Sequence, residues 1–110
     1  LGFKYYHKTA YKREALAAAK SLNENTPDEQ FLAVLRNTAI QAYGRERVAS
    51  VDGKEWAGLL EKAIDHKRSV KEFEQLFNND LYKNTALKVN KAQLKDFIIY
   101  WINHHATRLA

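Results

Sequence analysis

A chain of 110 residues has room for one hydrophobic core, and at this size folding buries roughly two thirds of the surface an unfolded chain exposes. It holds no cysteine, which excludes disulfides and thiolate metal sites, and no apolar run approaches the roughly 20 residues that span a bilayer as a helix. The formal net charge is +5, and residues 1–20 carry most of it, because Lys4, Lys8, Lys12, Arg13 and Lys20 face Glu14 alone while the remainder is nearly balanced.

From Tyr5 to Asn23 the chain is rich in Ala, Lys, Glu and Leu, which favour helix, and Tyr11, Ala15, Ala18 and Leu22 form its expected inward side. Thr26-Pro27-Asp28-Glu29 predicts the next start: a capping hydroxyl, a proline at the first helical position and a glutamate placed to bond back. Phe31, Val34, Leu35, Thr38, Ala39 and Ala42 then make one apolar stripe, which Gly44 ends. Asp52-Gly53-Lys54-Glu55 repeats the cap-and-glutamate logic ahead of Trp56, Leu59, Leu60, Ala63 and Ile64. Ser69 opens a further helix with Phe73, Leu76 and Phe77 inward, followed by a less regular stretch from Asn78 to Asn90. Asn90-Lys91-Ala92-Gln93 opens the last, with Leu94, Phe97, Ile98, Trp101 and Ile102 as its buried line. Only Ala86–Val89 alternates like a strand, and it is too short to found a sheet. The expectation is an all-α, compact bundle of about five helices in a single domain. Residues 1–22 form a basic arm continuing into the first helix, and residues 23–110 form the body. The chain opens on Leu1 and contains no methionine, so it is expected to be part of a longer product.

No pattern of catalytic chemistry emerges. Of His7, His66, His104 and His105, the last two are adjacent, so on a helix they point about 100° apart rather than forming a zinc pair on one face, and no cysteine completes a set. His105 extends the Leu94–Ile102 stripe as a partly buried edge residue, whereas His104, near Arg108, suits a basic helix C-terminus. Ser21, Ser50 and Ser69 lie in no nucleophile elbow, Glu72 and Glu74 diverge on a helix, and the four glycines are scattered. The expectation is a non-enzymatic protein without cofactor or metal. Trp56 and Trp101 sit mid-stripe and read as core anchors whose indole N–H groups need acceptors.

The basic arm is the chief functional signal. Lys4, Lys8 and Lys12 recur every fourth residue and, with Arg13, interleave with Phe3, Tyr5, Tyr6 and Tyr11. Mixed aromatic and basic residues suit a headgroup interface, where each cation near anionic lipid is worth about 1 kcal/mol. The same arm suits nucleic-acid phosphate, or is simply a solvated basic face. A helix-turn-helix reading of residues 39–60 and beyond is opposed by Asp52, Glu55, Glu61 and Asp65, which outnumber Lys54 and Lys62 in the would-be recognition segment. In the connection after the second helix, Tyr43, Arg45 and Arg47 are candidates for an exposed partner contact. Their other reading is structural, with Arg47 paired to a carboxylate and Tyr43 packed on the core.

Residues 11–16 (Tyr-Lys-Arg-Glu-Ala-Leu), Leu32, Leu35-Arg36, Ala39, Tyr43-Gly44-Arg45, Val48-Ala49, Gly53-Lys54-Glu55-Trp56, Leu59-Leu60, Phe77, Leu81-Tyr82 and Trp101-Ile102 together resemble a bacterial family of unknown function. The resemblance covers most of the chain and departs at Asn37, where a second basic residue after Arg36 is the pattern. It implies a small membrane-anchored protein with a hydrophobic span, a basic juxtamembrane stretch and a helical domain, encoded beside MoxR-type AAA+ ATPases and Bat-like von Willebrand factor A-domain proteins. The implied partners are those proteins and an anionic membrane surface. The implied location is the bacterial inner membrane, reached through a segment upstream of Leu1; given such a span, the positive-inside rule places this domain, with its basic arm, on the cytoplasmic side. The resemblance carries no site residues and no activity.

Overall fold

Most of the helices form along an apolar period that the sequence announces. The computed structural model describes residues 2–51, 53–70 and 90–106, with side chains from residue 10 onward. Among the described residues there are five helices and no strand: α1 (Gly2–Ser21), α2 (Asp28–Tyr43), α3 (Arg45–Ala49), α4 (Gly53–Ala63) and α5 (Lys91–His104). The architecture is all-α, as expected, and forms one compact body around a single apolar cluster.

Helix α1 packs on α2 and α5, and α2 packs on α3 and α5. The buried line of α1 ends on Ala19 and Leu22, with Tyr11, Ala15 and Leu16 half-buried. Ala18, expected inside, is exposed, because four-residue steps from Tyr11 through Ala15 reach Ala19 before they reach Leu22. On α2, Phe31, Leu35, Thr38 and Ala39 are buried as the stripe predicts. Its entry differs from expectation. The Thr26 hydroxyl accepts from the Asn23 N–H at 3.0 Å, closing a turn, and the cap position passes to Pro27 without a side-chain bond. Asp28 and Glu29 still place negative charge at the positive end of the helix dipole.

At the other end, Gly44 adopts φ 95° and donates its N–H to the Ile40 carbonyl at 2.8 Å, so glycine stops α2 as expected. The chain then enters α3 at once, where a short connection was expected. One apolar residue, Val48, is buried and fixes this short turn of helix against the core.

Helix α4 buries Trp56, Leu59, Leu60 and Ala63, with Ile64 just beyond. The last four carbonyls of a helix lack intrahelical donors, and here every one finds another. Leu60 O accepts the Trp101 indole N–H at 3.0 Å, and Ala63 O accepts the Ala106 N–H at 2.8 Å. Lys62 O accepts the Asp65 N–H at 3.0 Å and Glu61 O accepts the His66 N–H at 2.8 Å, the pattern of a Schellman cap. Asp65 and His66 hold φ 54° and 55°, a left-handed pair built without glycine. Exposed Asp65 therefore carries backbone strain, and Asp65→Gly is expected to raise stability by up to about 1 kcal/mol. A chemical-denaturation midpoint checks this; a lowered midpoint defeats it.

The expected helix from Ser69, with Phe73, Leu76 and Phe77, and the stretch after it lie outside the described residues except at Ser69, Val70 and Asn90. Val70 is buried and donates its N–H to the Glu61 carboxylate at 2.9 Å. Asn90 caps α5 as expected, its side-chain oxygen accepting from the Gln93 N–H at 3.0 Å. All five apolar positions foreseen on α5 are buried. Two lysines one turn apart do what their polar character did not suggest. Lys95 Nζ donates to the Lys20 and Leu22 carbonyls at 3.0 and 2.9 Å, placing a cation on the negative end of α1. Lys91 Nζ donates to the Glu24 and Thr26 carbonyls at 3.0 and 2.8 Å and stands 4.0 Å from Asp28 Oδ1, which ties down the α1–α2 turn.

Candidate functional site

Where the C-termini of α2 and α5 meet α1, four rings converge. Tyr11 Oη lies 2.8 Å from His105 Nε2, and His105 Nδ1 lies 3.0 Å from the Trp101 carbonyl oxygen. A carbonyl only accepts, so Nδ1 carries the proton and Nε2 accepts from the Tyr11 hydroxyl. The His105 ring stacks on the Trp101 indole at 4.4 Å and 3°. Tyr43 stands edge-on to both rings, 6.3 Å from each, and donates its hydroxyl proton to the Ala106 carbonyl at 2.5 Å.

His105 was expected at the edge of the core. It is 3% exposed, because α1 covers it. Burial lowers its pKa from the usual histidine value against the opposing backbone hydrogen bond to Trp101, and the Lys12 charge lowers it further. Burial likewise raises the Tyr11 phenol. Tyr43 rises strongly, chiefly through burial and then through Tyr11, with the Arg47 charge opposing. These are neutral, hydrogen-bonded groups held in place. Their shifts follow from packing rather than from an opposed acid and base.

Two cations act on this node electrostatically, Lys12 on His105 and Arg47 on Tyr43. Lys12 follows Tyr11 on α1 and is half-buried, and Arg13 is exposed. Lys4 and Lys8 lie on the first turns of α1, and their side chains fall outside the described ones. The ion pairs among the described residues are Arg68–Asp96 at 3.1 Å and Lys91–Asp28 at 4.0 Å, so neither Lys12 nor Arg13 is neutralised there. Tyr43 takes the packing role, whereas Arg45 and Arg47 stand exposed on α3, flanking Glu46, and neither joins a described ion pair. Other cations are occupied by aromatic faces: Arg36 over Trp56 at 5.3 Å, and Arg68 over Tyr100 at 5.0 Å. Trp56 and Trp101 are the core anchors foreseen, at 4% and 0% exposure.

A shallow groove of about 190 Å³ runs between α1 and α2, with Ala15, Ala18 and Val34 along it and Glu14, Asn37 and Gln41 among its polar residues. The Thr38 hydroxyl on its wall is bonded to the Val34 carbonyl at 2.7 Å. Among the described residues no three His, Asp or Glu side chains gather as metal ligands, and no helix is long and apolar enough to cross a membrane. Sequence reading missed the Tyr11–His105 bond, which joins residues 94 apart. The available signal was His105 falling on the apolar line of α5.

The helices and this end cluster define a small all-α domain whose distinctive surface is cationic. The chain belongs to the family described as domain of unknown function DUF4381, which it matches over residues 1–104, so the match includes basic α1 as well as the body. No curated protein and no solved structure matches it.

Proposed function

We propose that this is a non-enzymatic adaptor domain that rests on an anionic membrane surface through the basic face of α1 and docks protein partners through its helical body. One observation carries the reading: Lys12 and Arg13 have no carboxylate partner among the described residues, and they continue a series that begins at Lys4 and Lys8 with helical spacing. Cations without a described carboxylate partner attract external anions, and Phe3, Tyr5 and Tyr6, interleaved with the basic series in the sequence, match a headgroup boundary. The family resemblance supplies the finer proposal: a tether upstream of Leu1 in the bacterial inner membrane, a cytoplasmic position, and partnership with a MoxR-type ATPase and von Willebrand factor A-domain proteins.

The competing reading, in which the same arm binds nucleic-acid phosphate, predicts a different salt response and makes the test decisive. The protein is titrated with phosphatidylcholine vesicles, with the same vesicles containing phosphatidylglycerol, and with duplex DNA, each across a salt series. Preference for phosphatidylglycerol is expected, falling roughly fivefold for each cation removed from α1. Strong duplex binding with a steep salt slope and no lipid preference would sink the adaptor reading.

A further inference from the structure

Small residues keep the seam between α1 and α2 open. Ala15 and Ala18 stand there on α1 and Val34 on α2, and the groove they line holds about 190 Å³. That is below the roughly 300 Å³ at which pockets for metabolites and cofactors begin, so the space suits side chains rather than a small molecule. Its hydroxyls are already committed: Tyr11 is bonded to His105, and Thr38 to the Val34 carbonyl. Glu14, Asn37 and Gln41 are exposed, and their side chains have no hydrogen-bond or ion-pair partner among the described residues. Among the described lining residues Glu14 alone is charged, and its own helix leaves it unneutralised. The neighbours three and four positions away, which face it, are Ala10, Tyr11, Ala17 and Ala18, whereas Lys12 and Arg13 are two and one positions off and do not.

We infer that this groove docks an extended segment of a partner protein, with a small apolar side chain on Ala15, Ala18 and Val34 and a neighbouring arginine or lysine on Glu14. This rests on the docking half of the adaptor reading and gives it a surface and a partner chemistry. Charge complementarity selects the basic residue. A groove lined by one unpaired carboxylate and no described cation attracts a cationic side chain, and an arginine meets a carboxylate through two parallel hydrogen bonds. Spacing selects the extended backbone. Asn37 and Gln41 stand one turn apart on α2, about 6 Å at 1.5 Å per residue. An extended chain presents the N–H and C=O of every second residue along one edge, a repeat of about 6.6 Å, and each side-chain amide both donates and accepts. From Tyr11 to Ala18 the groove runs about 10 Å, the span of roughly three extended residues.

The test uses the whole chain and three pools of random heptapeptides, blocked at both ends, whose central residue is fixed as arginine, glutamine or glutamate. Binding is read from amide spectra of isotope-labelled protein. The arginine pool is expected to move the signals of residues 11–18 and 34–41, the side-chain amides of Asn37 and Gln41 among them. It should bind on the order of tenfold tighter than the glutamine pool, with the glutamate pool weakest. Glu14→Gln should remove the arginine preference while the glutamine pool still binds. Ala18→Leu fills the groove from an exposed helical position and should abolish binding of every pool with an unchanged thermal melt. The inference is overturned if the arginine pool moves other surfaces, or nothing at millimolar peptide, if its preference survives Glu14→Gln, or if Ala18→Leu binds as the unaltered protein does. Arginine amide binding as tightly as the pool overturns it too, since the groove would then be a site for small cations. The vesicle titration keeps the two readings apart. Preference for phosphatidylglycerol without peptide at the groove removes this inference and leaves the membrane half of the adaptor; loss of lipid preference with peptide at the groove does the reverse.

Discussion

Truncating Trp101 to alanine is expected to lower stability by about 3–5 kcal/mol, the range for deleting a large buried aromatic. Trp101 is 0% exposed and links three parts of the fold. Its indole N–H donates to the Leu60 carbonyl of α4 at 3.0 Å, its face carries His105, and Tyr43 of α2 meets it edge-on. A phenylalanine keeps most of the ring but removes the donor, leaving a helix-end carbonyl without its partner in the interior. Trp101→Phe should therefore cost less, about 1–3 kcal/mol. Urea denaturation followed by circular dichroism separates the two, with the midpoint moving and the slope unchanged. A loss under about 1 kcal/mol for the alanine variant would mean that the four-ring cluster is not the anchor of this end of the molecule.

What could be foreseen in the sequence is what local chemistry decides. The α4 and α5 stripes, the stop at Gly44 and the Asn90 cap all depend on residues within a few positions of one another, and all form. Helix α3 escaped because five residues with one apolar side chain show no period. The Thr26 hydroxyl had two local partners in reach, and the turn at Asn23 won over the helix N-terminus. Asp65 and His66 turn left-handed with no glycine to announce it. Lys91 and Lys95 look like a solvated helix face, yet their targets lie 65 to 75 positions away in the chain, on carbonyls that any sequence would present.

The candidate site divides on the same principle. The cationic series on α1 is a matter of composition and spacing, so it is visible at once. The rings that join α1 and α2 to the end of α5 depend on tertiary contacts between His105, Tyr11 and Tyr43. For Tyr43 the packing alternative is realised in the ring, while Arg45 and Arg47 stay at the surface. The contacts that assemble the ring cluster join residues far apart in the chain, so no single helix announces them.

That assembly has a measurable dependence on pH. The folded-state pKa of His105 is lowered, so between that lowered value and the unfolded value near 6.5 the unfolded chain binds more protons than the native one. Stability should therefore be level above the unfolded value, fall as pH drops below about 6.5, and level off in this contribution once the native imidazole also protonates. The physical reason is that the buried ring meets Tyr11, Tyr43 and Trp101, the Lys12 charge opposes an imidazolium, and the described contacts include no carboxylate to stabilise one. His105→Phe fills similar space and cannot titrate. At neutral pH it should cost roughly 1–3 kcal/mol through the unpaired Tyr11 hydroxyl, with the half-exposure of Tyr11 favouring the lower end. Below about pH 6 the gap between the two proteins should narrow, because only the histidine form loses stability to protonation. Denaturation midpoints measured from pH 5 to 8, on the histidine titration scale, test this. A constant difference across that range would show that His105 keeps an ordinary pKa in the folded state and that its burial has no electrostatic consequence.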